Sequence, residues 1–457
     1  MTAHPSLDIV VLAAGKGTRM RSDLPKVLHT LAGRPLLAHV LDTAHALAAR
    51  AVHVVYGHGG ERVPQTFADS DVHWVLQDEQ LGTGHAVSMA MPEIADDAVV
   101  LVVYGDVPLI RTETLRALVA ATADTPLALL TAELDEPGAY GRIVRESGKV
   151  VRIVEYKDAD EATRRIREIN TGFLAARAAD LRRWLGQLDA NNAQGEYYLT
   201  DVVARAVAEG VSVATEIPAT VSEIEGVNSK VELARLERQY QMNNAQELME
   251  QGVSLRDPAR FDLRGEVRAG RDVSIDINVI LEGKVELGDG AQIGPNCVIR
   301  DSVIGAGSRV LANCVIEEAR VGSDCRIGPF ARLRPGADLA DRAQIGNFVE
   351  VKNSRIAEGS KVNHLTYIGD TTMGSGVNVG AGAVTANYDG ANKHRTVIED
   401  NASIGANSVL VAPVTVGRGA TLGAGTILRK NAPEGELTIS SGKERTVKGW
   451  KRPQKKS

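Results

Sequence analysis

Residues 10–20, VVLAAGKGTRM, pass from an apolar run into a glycine-rich basic loop, a composition suited to holding phosphate. Val10, Val11 and Leu12 read as the end of a buried strand, and Gly15 and Gly17 let the chain turn with its amides exposed. Successive N–H groups in such a turn form a nest for anions, to which Lys16 and Arg19 add charge. Two familiar phosphate loops are excluded. A dinucleotide fingerprint needs a third glycine where Met20 stands, and the GxxxxGK[ST] pattern is absent. Taken alone, these residues fit an ordinary strand-to-helix turn equally well.

The segments that must position this loop run from residue 7 to about 228. DIVVLAAG, AVHVVYG, HWVLQ, AVVLVVYGD and PLALLTAEL read as strands, whereas LLAHVLDTAHALA and TETLRALVAATA read as amphipathic helices. Such alternation marks βαβ units and a mostly parallel sheet, in which ligands collect at the carboxyl ends of the strands. The glycine loop stands at one such end and Asp106 at another. Next, Ser229 and Glu232 have the spacing of a capping box. Leu233, Leu236 and Tyr240 follow on one stripe and Gly252 ends the pattern, so 229–251 reads as a linking helix.

Beyond it the periodicity changes. Val321, Ile327, Leu333, Leu339, Ile345 and Val351 recur every six residues. So do Ile404, Leu410, Val416, Leu422 and Leu428, and likewise Val267, Val273, Val279 and Val285. Neither a helix nor a heptad has that period; a parallel β-helix of hexapeptide repeats does, with one inward aliphatic per side. Known solenoids of this type coil left-handedly, against the usual right-handed crossover. With three sides per coil, residues 265–430 should make roughly nine coils stacked about 4.8 Å apart. TANYDGANKHRT, between Val379 and Ile398, breaks the period and reads as a loop ejected from the solenoid.

Composition narrows the function classes. A chain of 457 residues can hold two or three domains, and a formal charge of −6 gives no general basic field for nucleic acid. An aromatic content of 4% argues against base-stacking platforms. Cys297, Cys314 and Cys325 have no CxxC spacing and read as reduced, packed thiols. The start, MTAHPSLD, has no signal-peptide pattern, and the apolar stretch Ala98–Gly105 is too short to span a bilayer. A cytoplasmic protein without membrane insertion is expected.

LAAGKGTRM followed by LPK resembles the sugar-nucleotide pyrophosphorylase signature, and the solenoid resembles acyltransferases of that fold. With QLGTGHA, YGDVPL, NAQGEYYLTD, EGVNS, FARLRPG, NFVEVKN, NHLTYIGD and ANYDGANKHRT, the chain is similar to a family of bacterial bifunctional enzymes over about residues 7–430. These are the N-acetylglucosamine-1-phosphate uridyltransferase / glucosamine-1-phosphate acetyltransferases. The resemblance implies a Rossmann-like nucleotidyltransferase domain over 1–228, the linker helix 229–251, and a left-handed β-helix acetyltransferase domain with a basic tail over 252–457. It also implies UTP and acetyl-CoA as co-substrates, Mg²⁺, a homotrimer formed through the β-helix, and a place in cell-wall precursor synthesis.

By the same resemblance the glycine loop holds the phosphates of UTP. Leu12, Ala13, Ala14 and Gly15 line the nucleotide, Arg19 and Lys26 neutralise the triphosphate, and Gln77, Gly82 and Thr83 read uracil. Tyr104, Gly105, Asp106 and Asn228 also match nucleotide-binding positions, and Asp106 with Asn228 matches the Mg²⁺ ligands; Gly141, Glu155 and Asn170 match the positions that hold the sugar. In the solenoid, His364 aligns with the base that strips a proton from the attacking amine. Arg334, Lys352, Tyr367 and Asn378 match the sugar-phosphate pocket, and Ala381, Asn387, Tyr388, Ala406, Ala424 and Ser441 the acetyl-CoA contacts. Two positions depart from the family pattern. Ala406 stands where serine is frequent, and Ser440-Ser441 replaces a Ser-Arg pair, leaving Lys443 or Arg445 as cations that can substitute. Two rival readings are a one-activity ADP-glucose or mannose-1-phosphate pyrophosphorylase and a non-catalytic solenoid scaffold; the residues grouped around His364 by the resemblance argue against both.

Overall fold

The computed structural model describes residues 6–15, 17–57 and 62–440, together with Gly442 and Lys448. The chain folds as two compact units that divide between Tyr240 and Gln241, inside the helix Lys230–Glu250. The Ser229 hydroxyl caps that helix by accepting from Glu232 N at 3.2 Å. The Glu232 carboxylate reaches past Ser229 to Asn228 N at 2.7 Å, one residue further than a capping box requires. Leu236 is buried among Met20, Leu31, Leu36 and Val227, with Leu233 and Tyr240 packed beside it.

Among the described residues, nine strands form the sheet of the first unit. They are β1 (Leu7–Leu12), β2 (Ala51–Tyr56), β3 (His73–Leu76), β4 (Val99–Tyr104), β5 (Leu127–Glu133), β6 (Gly141–Glu146), β7 (Lys149–Val154), β8 (Glu168–Arg177) and β9 (Val213–Glu216). The order is β9-β5-β8-β4-β1-β2-β3, with the β6–β7 hairpin attached to β8. β1 pairs in parallel with both β2 and β4, whereas β8 runs antiparallel between β4 and β5. The apolar runs are continuous because both faces are covered. Val10, Val100 and Val102 enter one core, and Ile9, Val11, Leu101 and Val103 enter the other.

The second unit is a parallel β-helix. One of its faces is an eleven-stranded sheet that runs from Ser254–Leu255 to Leu437–Thr438. Parallel pairing stacks Ile293 on Val310, Ile327, Ile345, Val362, Val379, Ile404 and Leu422, so the hexapeptide aliphatics form one buried inward column. Buried hydroxyls tie successive coils: Ser308 Oγ donates to Gly322 O at 2.7 Å and accepts from Cys325 N at 2.9 Å. The excursion is narrower than the sequence implies. Val384–Ala386 and Thr396–Ile398 stay in the coil, and the chain between them leaves it, closed by a Tyr388–Lys393 bridge. All three cysteines are free and buried. No helix among the described residues is long and apolar enough to cross a membrane.

Each coil rests only on its neighbours, so a void in the column cannot be filled from elsewhere. Ile345→Ala is expected to destabilise the solenoid by about 2–5 kcal/mol. Urea unfolding followed by far-ultraviolet circular dichroism checks this; an unchanged midpoint would contradict a shared inward column.

Candidate functional site

At the carboxyl end of the first sheet, Leu12 pairs with Tyr104, and Gly105 N donates to Leu12 O at 3.0 Å. That register sets Ala13–Gly15 beside Asp106. Gly17 turns the chain at φ +59°, where a Cβ would come within 2.8 Å of Lys26 Cβ. The turn lets Lys26 reach back: its ammonium pairs with Asp106 Oδ2 and donates to Asn228 Oδ1 at 3.1 Å. Two oxygens from segments distant in sequence therefore converge on one positive charge. A carboxylate and an amide oxygen so placed fit a hard divalent cation.

Two cavities adjoin at Tyr104 and Asp106, which line both. The first, about 520 Å³, is bordered by Leu12, Ala13, Ala14, Gly15, Lys26, Gln77, Gly82 and Thr83. Gln77 is buried; its Nε2 donates to Gly82 O at 3.2 Å and lies 3.0 Å from His85 Nδ1. Gly82 has φ +111°, and a Cβ there would meet Tyr197 O at 2.6 Å, so only glycine fits ahead of the helix Thr83–Ala90. The second cavity, about 620 Å³, takes in Arg19 and Asn228. The two expected phosphate cations thus flank Asp106 from different sides.

Gly141, Glu155 and Asn170 line neither cavity but cluster together beside them. Asn170 pairs with Gly141 across β8 and β6, and a Cβ on Gly141 would stand 3.4 Å from both Glu155 oxygens. Burial pushes the Glu155 carboxyl up, and nearby Asp201 and Asp158 add to this, while a 3.1 Å hydrogen bond from Thr200 Oγ1 works against it. Burial also pushes the Tyr104 phenol up, followed by the charges of Glu155 and Asp106, so it stays a neutral donor between the cavities.

In the solenoid, His364 Nδ1 lies 2.9 Å from Asn347 Oδ1. An amide oxygen only accepts, so Nδ1 carries the proton and Nε2 of the neutral ring is free to accept one. A cavity of about 250 Å³ beside it is lined by Arg326, Gln344, Asn347 and Asn363 among others. Asn347 pairs directly with His364, and the same face carries Ala381, Ala406 and Ala424 on successive coils: Gly382 N donates to His364 O, Asn407 N to Ala381 O and Gly425 N to Ala406 O. Asn378 stands on this face as well, paired with Lys361 and Ser403.

Lys352 and Tyr367 belong to the seventeen-stranded sheet of this unit, Arg334 directly follows its strand Arg332–Leu333, and none of the three lines the His364 cavity. Arg334 pairs with Glu350 at 2.7 Å, and Lys352 lies 3.7 Å from Asp370. Burial opposes ionisation of Asp370, but hydrogen bonds from Asn353 and Asn387 and the charge of Lys352 outweigh it and hold the carboxyl below its usual range. Asn387 is thus buried at the base of the excursion with its amide on Asp370, whereas Tyr388 is exposed. Ser441, Lys443 and Arg445 lie outside the described residues.

Sequence reasoning missed Gln80, whose Nε2 donates to Ala14 O, and Glu196, both bordering the first cavity. It also missed Asn347, which the 17-residue coil length puts directly against His364. Phe330, Phe348 and Leu365 went unnoticed too. All three are exposed at left-handed corners beside the His364 cavity, and the two phenyl rings stack 5.2 Å apart.

Fold and sites together define a nucleotidyltransferase domain joined to a hexapeptide-repeat transferase. The family model for a MobA-like NTP transferase domain matches residues 9–188, and that for the bacterial transferase hexapeptide (six repeats) matches 270–301 and 395–430. The bifunctional protein GlmU of Azoarcus sp. (strain BH72) is 59% identical over 450 residues, 98% of this chain and 100% of that protein. That of Cupriavidus pinatubonensis (strain JMP 134 / LMG 1197) is 58% identical over 452 residues, 99% and 100% of the respective chains. A solved nucleotidyl transferase from Methanothermobacter thermautotroptrophicus aligns at 20% identity with a TM-score of 0.39, over 52% of this chain and 98% of that one. The chain belongs to the bifunctional GlmU family.

Because its folded pKa is raised, Glu155 contributes most to stability below the carboxyl's ordinary value of about 4.3 and loses that contribution as pH rises through the raised value. Glu155→Gln should therefore raise the melting temperature at pH 7, with the gain shrinking as pH is lowered towards that ordinary value. Melting curves across this range check it; a loss of stability at pH 7 would contradict it.

Proposed function

We infer that the chain makes UDP-N-acetylglucosamine in two steps. Glucosamine-1-phosphate takes the acetyl group of acetyl-CoA and releases CoA. N-acetylglucosamine-1-phosphate then takes the uridylyl group of UTP and releases pyrophosphate. The observation that carries this reading is the joining in one chain of the Lys26–Asp106–Asn228 cluster, at two adjoining cavities, with a His364 column on a hexapeptide solenoid.

In the first unit, the glycine loop and Gln77, Gly82 and Thr83 hold the uridine nucleotide, while Gly141, Glu155 and Asn170 hold the sugar. Lys26 neutralises phosphate, and its pairing with Asp106 keeps that charge in place until a polyphosphate competes for it. Asp106 and Asn228 would hold Mg²⁺, which when bound offsets the charge of the two anions brought together. Arg19 serves the phosphates from the second cavity.

In the solenoid, His364 takes the amine proton through Nε2 while Asn347 fixes the ring. Arg334, Lys352, Tyr367 and Asn378 hold the sugar phosphate, and Ala381, Asn387, Tyr388, Ala406, Ala424 and Ser441 contact acetyl-CoA. Lys352 and Tyr367 stand on a different sheet from His364, and Arg334 follows a strand of that sheet, so a second copy would complete the site. A homotrimer through the β-helix supplies one, and the exposed Phe330, Phe348 and Leu365 are the apolar surface it would cover. UTP and acetyl-CoA as substrates put the protein in the cytoplasm.

Asp106→Ala should abolish uridylyl transfer and leave acetyl transfer nearly intact. His364→Ala should lower acetyl transfer by about a hundredfold or more and spare UDP-N-acetylglucosamine formation from supplied N-acetylglucosamine-1-phosphate. Separate assays of each product decide; equal loss of both activities in a folded variant would contradict two sites. Sedimentation velocity should give a trimer, and a monomer with full acetyl transfer would overturn the shared site.

A further inference from the structure

The first unit carries a cluster that neither transfer reaction uses. His53 on β2 and His73 on β3 stand opposite each other in the parallel register, with ring centroids 5.1 Å apart. Glu93, in the turn Met91–Glu93, places Oε2 at 3.5 Å from His53 Nδ1 and 3.4 Å from His73 Nδ1. None of the three lines a nucleotide cavity.

What lies behind His53 determines what faces forward. Asp8 is fully buried, is held by Arg50 through contacts of 2.7, 2.8 and 3.0 Å, and has Oδ1 at 3.2 Å from His53 Nε2. A carboxylate only accepts, so Nε2 carries the proton and Nδ1 presents its lone pair. His53 is 1% exposed, and Nδ1 makes no hydrogen bond. A buried acceptor without a partner gives up its hydration for nothing, so a native fold retains one where something completes it.

We propose that His53 Nδ1, His73 Nδ1 and the Glu93 carboxylate form a site for a divalent transition-metal ion of the Zn²⁺ class. Tetrahedral Zn²⁺ with bonds of about 2.0–2.1 Å holds its ligand atoms about 3.3 Å from one another. The two nitrogen-to-oxygen separations already match that spacing, and all three ligand atoms lie within 4.8 Å of one another. Two imidazoles and a carboxylate suit Zn²⁺ better than a hard cation, which prefers oxygen throughout. The buried carboxylate on the far nitrogen of His53 is the outer partner that orients a metal-binding imidazole. His73 and Glu93 are 59% and 55% exposed, leaving an approach for the ion and a fourth position for water. Bound there, the ion would tie the sheet's edge strand to β2 and to the Met91–Glu93 turn.

The test is titration calorimetry of ZnCl₂ into the metal-stripped full chain, with excess Mg²⁺ to occupy the oxygen site and a non-thiol reductant. We expect one Zn²⁺ per chain at this site, and His73→Ala and Glu93→Gln should each weaken it about tenfold or more. Both side chains are exposed, so the variants should fold. Their uridylyl transfer measured with Mg²⁺ alone should be unchanged. Zn²⁺ should raise the melting temperature of the parent chain more than that of either variant. Co²⁺ should give the visible band of a four-coordinate ion that both variants lose. Absence of saturable Zn²⁺ binding, or the same affinity in parent and variants, would overturn the proposal.

Discussion

Leu12 faces Tyr104 across two parallel strands, and His364 faces Asn347 across two parallel coils. In both units fixed parallel register delivers residues far apart in sequence to one line at a strand end. A slip of one residue would turn the side chains of either strand to the opposite face. In the sheet it would drive Val10 and Val102 out of the core they share, and in the solenoid it would point Ile345 outwards. Packing of buried aliphatics therefore holds the polar sites in position, although among the described residues no aliphatic beyond Leu12 and Val27 borders the nucleotide cavity except small alanines.

The chemistry is concentrated where packing stops. Lys26 sits between two oxygens that also suit a hard cation, so the charge of Asp106 is compensated before any nucleotide arrives. Tyr104 stays protonated between Glu155 and Asp106 and can donate without adding negative charge. In the solenoid, the amide of Asn347 fixes which ring nitrogen of His364 faces outwards. Each site thus takes its chemical state from a neighbour on the adjoining strand or loop.

Much of this was legible in the sequence, for unequal reasons. The six-residue period survives because every inward position must be aliphatic, and that demand is local and repeated. The quoted strands of the first unit were readable as continuous apolar runs. The hairpin β6–β7 gives no clear strand pattern, although Ser147-Gly148 is a turn signal, because its exposed faces dilute it, and in the largely buried antiparallel β8 the polar run Asn170-Thr171-Gly172 interrupts the apolar pattern. Asn347 required coil length to be combined with register. The His53–His73–Glu93 cluster has no spacing signature, since only the pairing of β2 with β3 and the turn at Glu93 brings it together. The excursion was read too wide because its flanking strands share its polar residues.

The central claim is that two chemistries run at two sites that exchange a free intermediate. Asp106→Ala and His364→Ala chains, each supplied with glucosamine-1-phosphate, acetyl-CoA, UTP and Mg²⁺, provide the direct measurement when assayed apart and then mixed. Neither alone should make UDP-N-acetylglucosamine at an appreciable rate, and the mixture should make it after a lag while N-acetylglucosamine-1-phosphate accumulates. A mixture as inactive as its parts, with both variants folded, would contradict the account.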